Sequence, residues 1–221
     1  MDHIVNSYGS SDAEGGSSAE ENVLVSVPQC WSFGNDGQVT IKTCQVMSDD
    51  YGLFPWPSAF LLAEFIISHS HLFGDKTIIE LGSGTCIGGL VAASIGASRV
   101  ILTDREEISE NCVKIQQMNA NLRDRITVQS LVWGEFRSDL FDLQCANVII
   151  AADIFYDEKD IFATLHHLMK DGVVFYTAYQ DRSEENMDML NLQLENWDMT
   201  LEEGNHFLRM FIIKMKPNYK I

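Results

Sequence analysis

Residues 78–88 read Ile-Ile-Glu-Leu-Gly-Ser-Gly-Thr-Cys-Ile-Gly, and this stretch gives the strongest indication of the fold class. Its apolar start is typical of a buried strand, its glycines predict a tight turn, and the small residues at 89–94 favour a helix. A strand, a glycine turn and a helix N-terminus together cradle the polar end of a nucleotide-like cofactor. The alternative is a glycine turn that binds no ligand.

Two details of this turn narrow the choice of cofactor. The dinucleotide fingerprint requires a third glycine three residues after the second, but Ile87 stands there and the glycine follows at Gly88. The strand also ends in Glu80, whose carboxylate would repel a pyrophosphate but suits a cofactor with an ammonium and a sulfonium group. The turn therefore favours a cationic cofactor, and a dinucleotide oxidoreductase is the less favoured alternative.

The next predicted strand supplies a second acidic residue. Residues 98–103 form a β-rich run that ends in Asp104, about twenty residues beyond the glycine turn. A βαβ unit places an acid at this position to accept the hydrogen bonds of both ribose hydroxyls. The alternative is that Asp104 caps the helix predicted to begin near Glu106, a common role for aspartate.

A fourth predicted strand, residues 147–152, leads into Asp153 and Tyr156. Cofactor and substrate meet outside the carboxyl ends of parallel strands, near the point where the strand order reverses. There Asp153 would hold or deprotonate an incoming amine, and Tyr156 would form a wall of the pocket. The competing interpretation makes Asp153 a helix cap and Tyr156 a packing residue.

The chain is strongly acidic, with a formal charge of −17 over 221 residues. Residues 1–22 hold five of the carboxylates and no Lys or Arg, so the remainder still carries −12. Such a surface repels nucleic acid and favours a basic protein partner, although acidity also serves solubility alone. The sequence therefore predicts no direct nucleic-acid contact.

Composition also predicts the cellular setting. No apolar run is long enough for a membrane span, and the first residues lack the features of a signal peptide. The five cysteines are scattered without paired metal-ligand spacing, so we expect reduced thiols and no metal site. We expect the protein in the nucleus and cytoplasm.

Composition and periodicity divide the chain into three parts. Residues 1–22 are predicted to be a disordered, acidic Ser/Gly-rich tail, and residues 23–48 a β-hairpin with strands at 23–27 and 39–46. Residues 49–221 alternate helices and strands, which predicts an α/β, Rossmann-like, doubly wound sheet closed by a C-terminal antiparallel hairpin. Helices are predicted at 56–71, 89–94, 106–122, 159–169 and 183–195, and the later strands at 126–130, 147–152, 172–179, 197–201 and 206–214.

Several short motifs occur together in a recognisable order. They are PWPSA at 55–59, ELGSG at 80–84, LVWG at 131–134, DIFY at 153–156 and YQDRS at 179–183, with QMN at 117–119 and WDM at 197–199. Together they resemble the family 16 methyltransferase-like proteins, which are seven-β-strand protein methyltransferases. The resemblance extends from about residue 49 to the C-terminus.

The resemblance implies a seven-stranded sheet, S-adenosyl-L-methionine as cofactor, and a role for each matching residue. Glu80, Gly82 and Gly84 would hold the methionine part of the cofactor, and Asp104 would hold the ribose. Trp133 would flank the adenine and Trp56 would help to form the pocket, although tryptophans are often core residues. Asp153 and Tyr156 would line the methyl-transfer channel, whereas Tyr179 and Arg182 match a motif of unassigned role.

The resemblance also implies a protein substrate, with chaperones among the expected partners. One branch of the family is associated with arginine methylation of histone H3, whereas most of the family modifies lysine. The double-glutamate loop of the well-known arginine methyltransferases is missing. The last two strands are joined by only residues 202–205, so part of a substrate wall is expected to be missing. Arginine on histone H3 is the leading prediction; lysine on a basic protein, a small-molecule substrate and a non-catalytic binding module are the alternatives.

Overall fold

The computed structural model describes residues 26–46, 53–155, 158–170, 172–180, 184–196, 199–203 and 208–215. The predicted tail at 1–22, Tyr156, Arg182, Trp197 and the connection between the last two strands lie outside these ranges. Within them, every helix is too short or too polar to cross a bilayer.

The strands and helices of the described residues alternate along most of the chain. The strands are β1 (Ser26–Phe33), β2 (Val39–Val46), β3 (Thr77–Leu81), β4 (Arg99–Asp104), β5 (Ile126–Ser130), β6 (Val148–Ala152), β7 (Val174–Gln180), β8 (Met199–Glu203) and β9 (Leu208–Met215). The helices are α1 (Pro57–Ser68), α2 (Ser70–Phe73), α3 (Ile87–Ser94), α4 (Glu106–Met118), α5 (Ser138–Asp142), α6 (Glu158–Leu168) and α7 (Glu184–Asn196).

Seven of these strands form one twisted sheet in the order β5-β4-β3-β6-β7-β9-β8. Strands β3 to β7 are parallel, whereas β9 runs antiparallel to both of its neighbours. The strand order reverses between β3 and β6, which is the point where such sheets bind ligands. The predicted doubly wound, seven-stranded sheet with a C-terminal antiparallel hairpin is confirmed.

The central strands are buried on both faces, as a parallel sheet requires. Successive side chains of β3 point to opposite faces: Ile78 joins the core beneath α1, α3 and α4, and Ile79 joins the core beneath α6 and α7. Ile150 and Ile149 of β6 divide in the same way. The apolar runs that predicted these strands therefore serve two cores at once.

The N-terminal hairpin is present, but its first strand ends later than predicted. β1 extends to Phe33, well beyond the predicted end at Val27, and pairs with β2 across a turn at Asn35–Gly37. Residues 23–25 lie outside the described part of the chain. Every second residue of β1 is turned inward: Trp31 is half-buried and Phe33 is buried. The strand therefore continues past Val27, with exposed residues alternating with the inward ones.

Two helical predictions need correction, and one short helix was missed. The helix predicted at 56–71 is split at His69 into α1 and α2, because the backbone of His69 leaves the helical region. The helix predicted at 106–122 ends at Met118, since the side chain of Asn119 binds the hairpin instead of continuing the helix. The short helix α5 was not predicted, because five residues hold too few turns for a periodic pattern.

Candidate functional site

The predicted acids of the site and the glycine loop between them lie at the carboxyl edge of the sheet, at its switch point. β3 ends there in Glu80 and Leu81, and the loop 82–86 leads into α3. Leu81 pairs with Ala151 of β6 and with Thr103 of β4, so Asp104 and Asp153 lie at the same edge on either side of the loop. The topology thus brings together three acidic residues from three neighbouring strands.

The loop after β3 owes its shape to two glycines and to contacts with β4. Gly82 and Gly84 both have left-handed backbones, with φ of 61° and 48°, which glycine adopts without steric cost. The backbone N–H of Ser83 donates to the carbonyl of Thr103 at 3.0 Å, and the N–H of Thr103 donates to Ser83 Oγ at 3.0 Å. Ser83 and Thr103 thus fix the loop. This role was not predicted from the sequence, although a small polar residue between two glycines, as Ser83 is, could have suggested it.

Asp104 joins the second strand to this loop. Its Oδ2 accepts the backbone N–H of Gly84 at 2.8 Å, and its Oδ1 accepts the N–H of Arg105 at 2.8 Å. Arg105 occupies the N-cap position of α4, where no side chain caps the helix, so Asp104 does not act as the helix cap considered above. A half-buried carboxylate at this position retains acceptor capacity for hydroxyl groups.

Glu80 is the most deeply enclosed acid of the site. Only 4% of it is exposed, and burial raises the pKa of its carboxyl group to about 8. The amides of Gly89 and Gly88 and the Ser83 hydroxyl favour the charged form, whereas the charge of Asp104 opposes it. Its Oε2 lacks a hydrogen-bond partner of good geometry. A positive group brought next to Glu80 would stabilise the charged form.

The two predicted site tryptophans, Trp133 and Trp56, lie on different elements of the structure. Trp133 is half-buried, and its ring atom Cζ2 would lie 3.2 Å from a Cβ placed on Gly82, so the indole covers the glycine loop. The chain after it is anchored to α6, because the N–H of Gly134 donates to Thr164 Oγ1 at 2.9 Å. Trp56 is half-buried at the N-cap of α1 and packs edge-on against the exposed ring of Phe54.

Asp153 stands directly after β6 in a strained conformation. Its φ is 61°, in the left-handed region that few residues other than glycine adopt, and only 8% of it is exposed. Its N–H donates to the carbonyl of Ala178 at 2.8 Å, and its Oδ1 accepts the N–H of Gln180 at 3.3 Å. Helix α6 begins only at Glu158, so Asp153 is not its cap.

The residue after Asp153 borders the glycine loop. The Cγ2 atom of the next residue, Ile154, would lie 3.2 Å from a Cβ on Gly82, which itself faces Trp133. Tyr156, predicted as the partner of Asp153, lies outside the described residues. Backbone strain of this kind persists where the surrounding structure enforces it, and it is frequent at functional sites.

Tyr179, whose role the sequence left unassigned, is a core residue. It is buried on the α6 side of β7 and packs edge-on against Phe155, with ring centroids 5.7 Å apart. Within the described ranges, no three His, Cys, Asp or Glu side chains are grouped so that they could hold a metal ion.

Comparison with known proteins identifies the family. The family model for lysine methyltransferase, methyltransferase family 16, matches residues 35–196. Histone-arginine methyltransferase METTL23 of Xenopus laevis is 32% identical over 208 residues, which cover 82% of this chain and 88% of that protein. METTL23 of Homo sapiens is 30% identical, covering 73% of this chain and 96% of that protein. Protein-lysine methyltransferase METTL21E of Mus musculus is 32% identical over 72% of this chain and 68% of that protein.

Solved structures support the same fold. Ribosomal protein L11 methylase from Lactobacillus delbrueckii subsp. bulgaricus matches with a TM-score of 0.56 and 18% identity, over 74% of this chain and 81% of that chain. Precorrin-6y C5,15-methyltransferase from Geobacter metallireducens matches with a TM-score of 0.53 and 13% identity, over 70% and 87% of the two chains. The family resemblance seen in the sequence is confirmed: the chain belongs to methyltransferase family 16 and is an S-adenosyl-L-methionine-dependent methyltransferase.

Proposed function

We propose that the methionine end of the cofactor lies against Glu80, Gly82 and Gly84. The buried carboxyl group of Glu80, whose charged form a neighbouring cation would stabilise, fits the cofactor's ammonium group. Glu80 also lies close enough to Asp104 for the two charges to repel each other, and a cation relieves this repulsion. The residues present therefore fit a positively charged cofactor.

The ribose and the adenine are assigned to neighbouring side chains. Asp104 would accept hydrogen bonds from the ribose hydroxyls, since its carboxylate faces the loop and has acceptor capacity left beyond the Gly84 amide. Trp133 would flank the adenine, because its indole lies over Gly82 and offers a flat face for a purine. Trp56 would close the pocket from the start of α1.

Asp153 is assigned to the methyl acceptor, together with Tyr156. When bound, the cofactor supplies an electrophilic methyl group on a sulfonium, and an acceptor nitrogen attacks the methyl carbon as the carbon–sulfur bond breaks. Asp153 would orient the acceptor and take its proton directly or pass it to solvent, which keeps the nitrogen neutral at attack. The position of Asp153 directly after β6, next to the residue that borders Gly82, is the observation that carries this proposal.

The proposed substrate is a basic protein segment, with arginine of histone H3 as the leading target. Relatives of Xenopus laevis and Homo sapiens named histone-arginine methyltransferase support this, as does the formal charge of −17. A guanidinium has a pKa above 12 and needs a carboxylate next to it to react, which suits Asp153. We propose that the protein works in the nucleus and cytoplasm, with chaperones among its partners.

Lysine is the second candidate acceptor. The matching family model is described as lysine methyltransferase, and METTL21E of Mus musculus, named a protein-lysine methyltransferase, is 32% identical. An ammonium needs less help than a guanidinium to lose its proton, so the same carboxylate would serve.

Radiolabelled methyl transfer to histone H3 distinguishes these acceptors. Wild-type protein is expected to label H3 peptides that keep their arginines but have lysine replaced, with methylarginine identified by mass spectrometry. Label confined to peptides that keep only lysine would establish the second candidate. Cofactor binding without transfer to H3, to total histones or to cell extract would instead indicate a non-catalytic module.

The variant Asp153→Asn tests the proposed role of Asp153 in methyl transfer. Asparagine tolerates the left-handed backbone at this position, so the change removes the charge with little added strain. We expect turnover to fall about 100-fold or more while cofactor affinity stays within about threefold. Asp75→Asn is the control, because Asp75 also has a positive φ, of 56°, but is exposed.

A further inference from the structure

Two buried cysteines lie beneath the glycine loop and have no part in the chemistry proposed above. Cys86 is the N-cap residue of α3, with a left-handed φ of 60°, and Cys112 lies in the middle of α4. Both are free thiols with no exposed surface. Their positions on different elements make the contact between them a tertiary feature.

Both thiols point at one carbonyl of the loop. Cys86 Sγ donates to the carbonyl oxygen of Gly84 at 3.8 Å, and Cys112 Sγ donates to the same oxygen at 3.7 Å. The N–H of Gly84 donates to Asp104 Oδ2 at 2.8 Å on the other side. The two peptide groups that flank the Gly84 Cα are therefore fixed by three side chains from different elements.

We propose that Cys86 and Cys112 are positioning residues for the cofactor, which hold the Gly84 carbonyl so that the loop keeps its binding conformation before the cofactor arrives. The proposal rests on the proposed contact between this loop and the methionine end of the cofactor. Glycine has more backbone freedom to lose than any other residue, so an unsupported Gly-x-Gly loop would lose binding free energy on ordering.

The chemistry of the thiols suits this role. Burial, together with the neighbouring thiol of Cys112, raises the pKa of Cys86, so the group stays protonated and remains a donor. A thiolate would repel the carbonyl oxygen. The thiol is also a small apolar group that is readily buried, and it satisfies the carbonyl without admitting water.

Cys112 offers the cleaner test, because it lies on a regular helix whereas Cys86 has a left-handed backbone. We compare Cys112→Ala, which removes the donor, with Cys112→Ser, which restores one. The control is Cys44→Ala, since Cys44 is also buried but bonds to Ser26 Oγ in the hairpin. Cys112→Val removes the donor while filling the space, which keeps the comparison available if the alanine cavity unfolds the chain.

The readouts are the dissociation constant of S-adenosyl-L-methionine by calorimetry, the kinetic constants, and the thermal midpoint. We expect Cys112→Ala to weaken cofactor binding and raise the cofactor KM about three- to tenfold, with kcat within about twofold. Serine should restore the affinity. Cys44→Ala should lower the midpoint without changing the affinity.

Three results would overturn the inference: wild-type affinity in both Cys112→Ala and Cys112→Val, equal weakening in Cys44→Ala, or no recovery with serine. Failure of the proposed function looks different. In that case wild-type protein itself fails to bind the cofactor or to transfer a methyl group, before any cysteine is changed.

Discussion

The first turn of α3 packs against the carboxyl group of Glu80 and shields it from solvent. A Cβ on Gly88 would come within 2.6 Å of Glu80 Oε1, and one on Gly89 within 2.7 Å of Oε2. The two glycines at the start of α3 therefore make room for the acid. This explains why glycine follows Ile87 one position later than the dinucleotide fingerprint requires: it accommodates a carboxylate.

Replacing Glu80 tests the energetic consequence of this enclosure. The pKa of the carboxyl group is 4.5 in the unfolded chain and about 8 in the fold. At a pH between these two values the folded state therefore holds a proton that the unfolded state lacks. The free energy of unfolding should therefore fall as pH rises from 5 to 8. Glu80→Gln should remove this fall. Its free energy of unfolding should therefore rise relative to that of wild type by on the order of 1 kcal/mol per pH unit.

Denaturant unfolding of the cofactor-free proteins at pH 5, 6.5 and 8 measures the difference. Glu107→Gln, at an exposed position of α4, controls for the loss of one surface charge. A difference between Glu80→Gln and wild type that stays constant with pH would contradict the prediction. Weaker cofactor binding by Glu80→Gln is expected as well, because a neutral amide does not pair with an ammonium group.

A second prediction concerns the effect of replacing Gly89 on the stability of the fold. A Cβ there would lie 2.3 Å from Leu102 Cδ2, and Leu102 is fully buried. Gly89→Ala gains about 1 kcal/mol of helix propensity but overpacks the core, which typically costs about 1–3 kcal/mol. We expect net destabilisation in denaturant unfolding. The double variant Gly89→Ala/Leu102→Ala should be more stable than the sum of the single changes predicts, because Leu102→Ala makes the space.

At the scale of elements, the N-terminal hairpin is part of the main core. Phe33 and Ile41 belong to the same buried cluster as Leu62 of α1 and Leu90 of α3. Trp31 packs edge-on against Phe60 of α1 with ring centroids 4.8 Å apart. The hairpin thus supports α1, whose N-cap residue is Trp56.

Asn119 attaches this hairpin to α4. Its Oδ1 accepts the N–H of Lys42 at 2.9 Å and its Nδ2 donates to the carbonyl of Lys42 at 2.6 Å, as a neighbouring strand would. Asn119→Ala should cost about 1–3 kcal/mol, because it removes two part-buried hydrogen bonds to the backbone of Lys42. Hydrogen exchange should show faster exchange in β2.

The matched control is Gln116→Ala, one turn earlier. Gln116 Nε2 also donates to a backbone carbonyl, but that of Ile126 in β5, at 2.6 Å. Its loss should leave exchange in β2 unchanged. Equal protection of β2 in Asn119→Ala and wild type would show that packing alone holds the hairpin in place.

At the scale of the molecule, the site exists only in the assembled sheet. Glu80, Asp104 and Asp153 end three neighbouring strands but are up to 73 residues apart in sequence. The charges of Glu80 and Asp104 oppose each other across the glycine loop, and a cationic ligand would relieve this repulsion. Cofactor binding is therefore linked to folding, since a ligand that binds only the folded state stabilises it.

Thermal unfolding measures this linkage. Cofactor at about 100 times its dissociation constant should add about 2.7 kcal/mol, or roughly 5–10 °C in the midpoint. Asp104→Asn should lose at least half of this shift, because the amide replaces an acceptor proposed for the ribose. Asp75→Asn should keep the full shift. An undiminished shift in Asp104→Asn would remove Asp104 from the ribose site.

The sequence alone predicted much of the fold. The apolar runs and turns specified most strands to within two residues, because buried parallel strands leave a continuous hydrophobic signal. The end of β1, the break at His69 and helix α5 were missed. Each depends on packing against other elements or is too short to show a period.

The sequence also determined the site residues as candidates, since glycine turns and acids at strand ends carry their own physical meaning. Their contacts with one another are visible only in the fold: Asp104 binds the Gly84 amide rather than a helix end, Glu80 is buried under α3, and two thiols donate to the Gly84 carbonyl. These contacts join residues on different elements. Local pattern does not encode them, because they arise only when the sheet brings its carboxyl ends together.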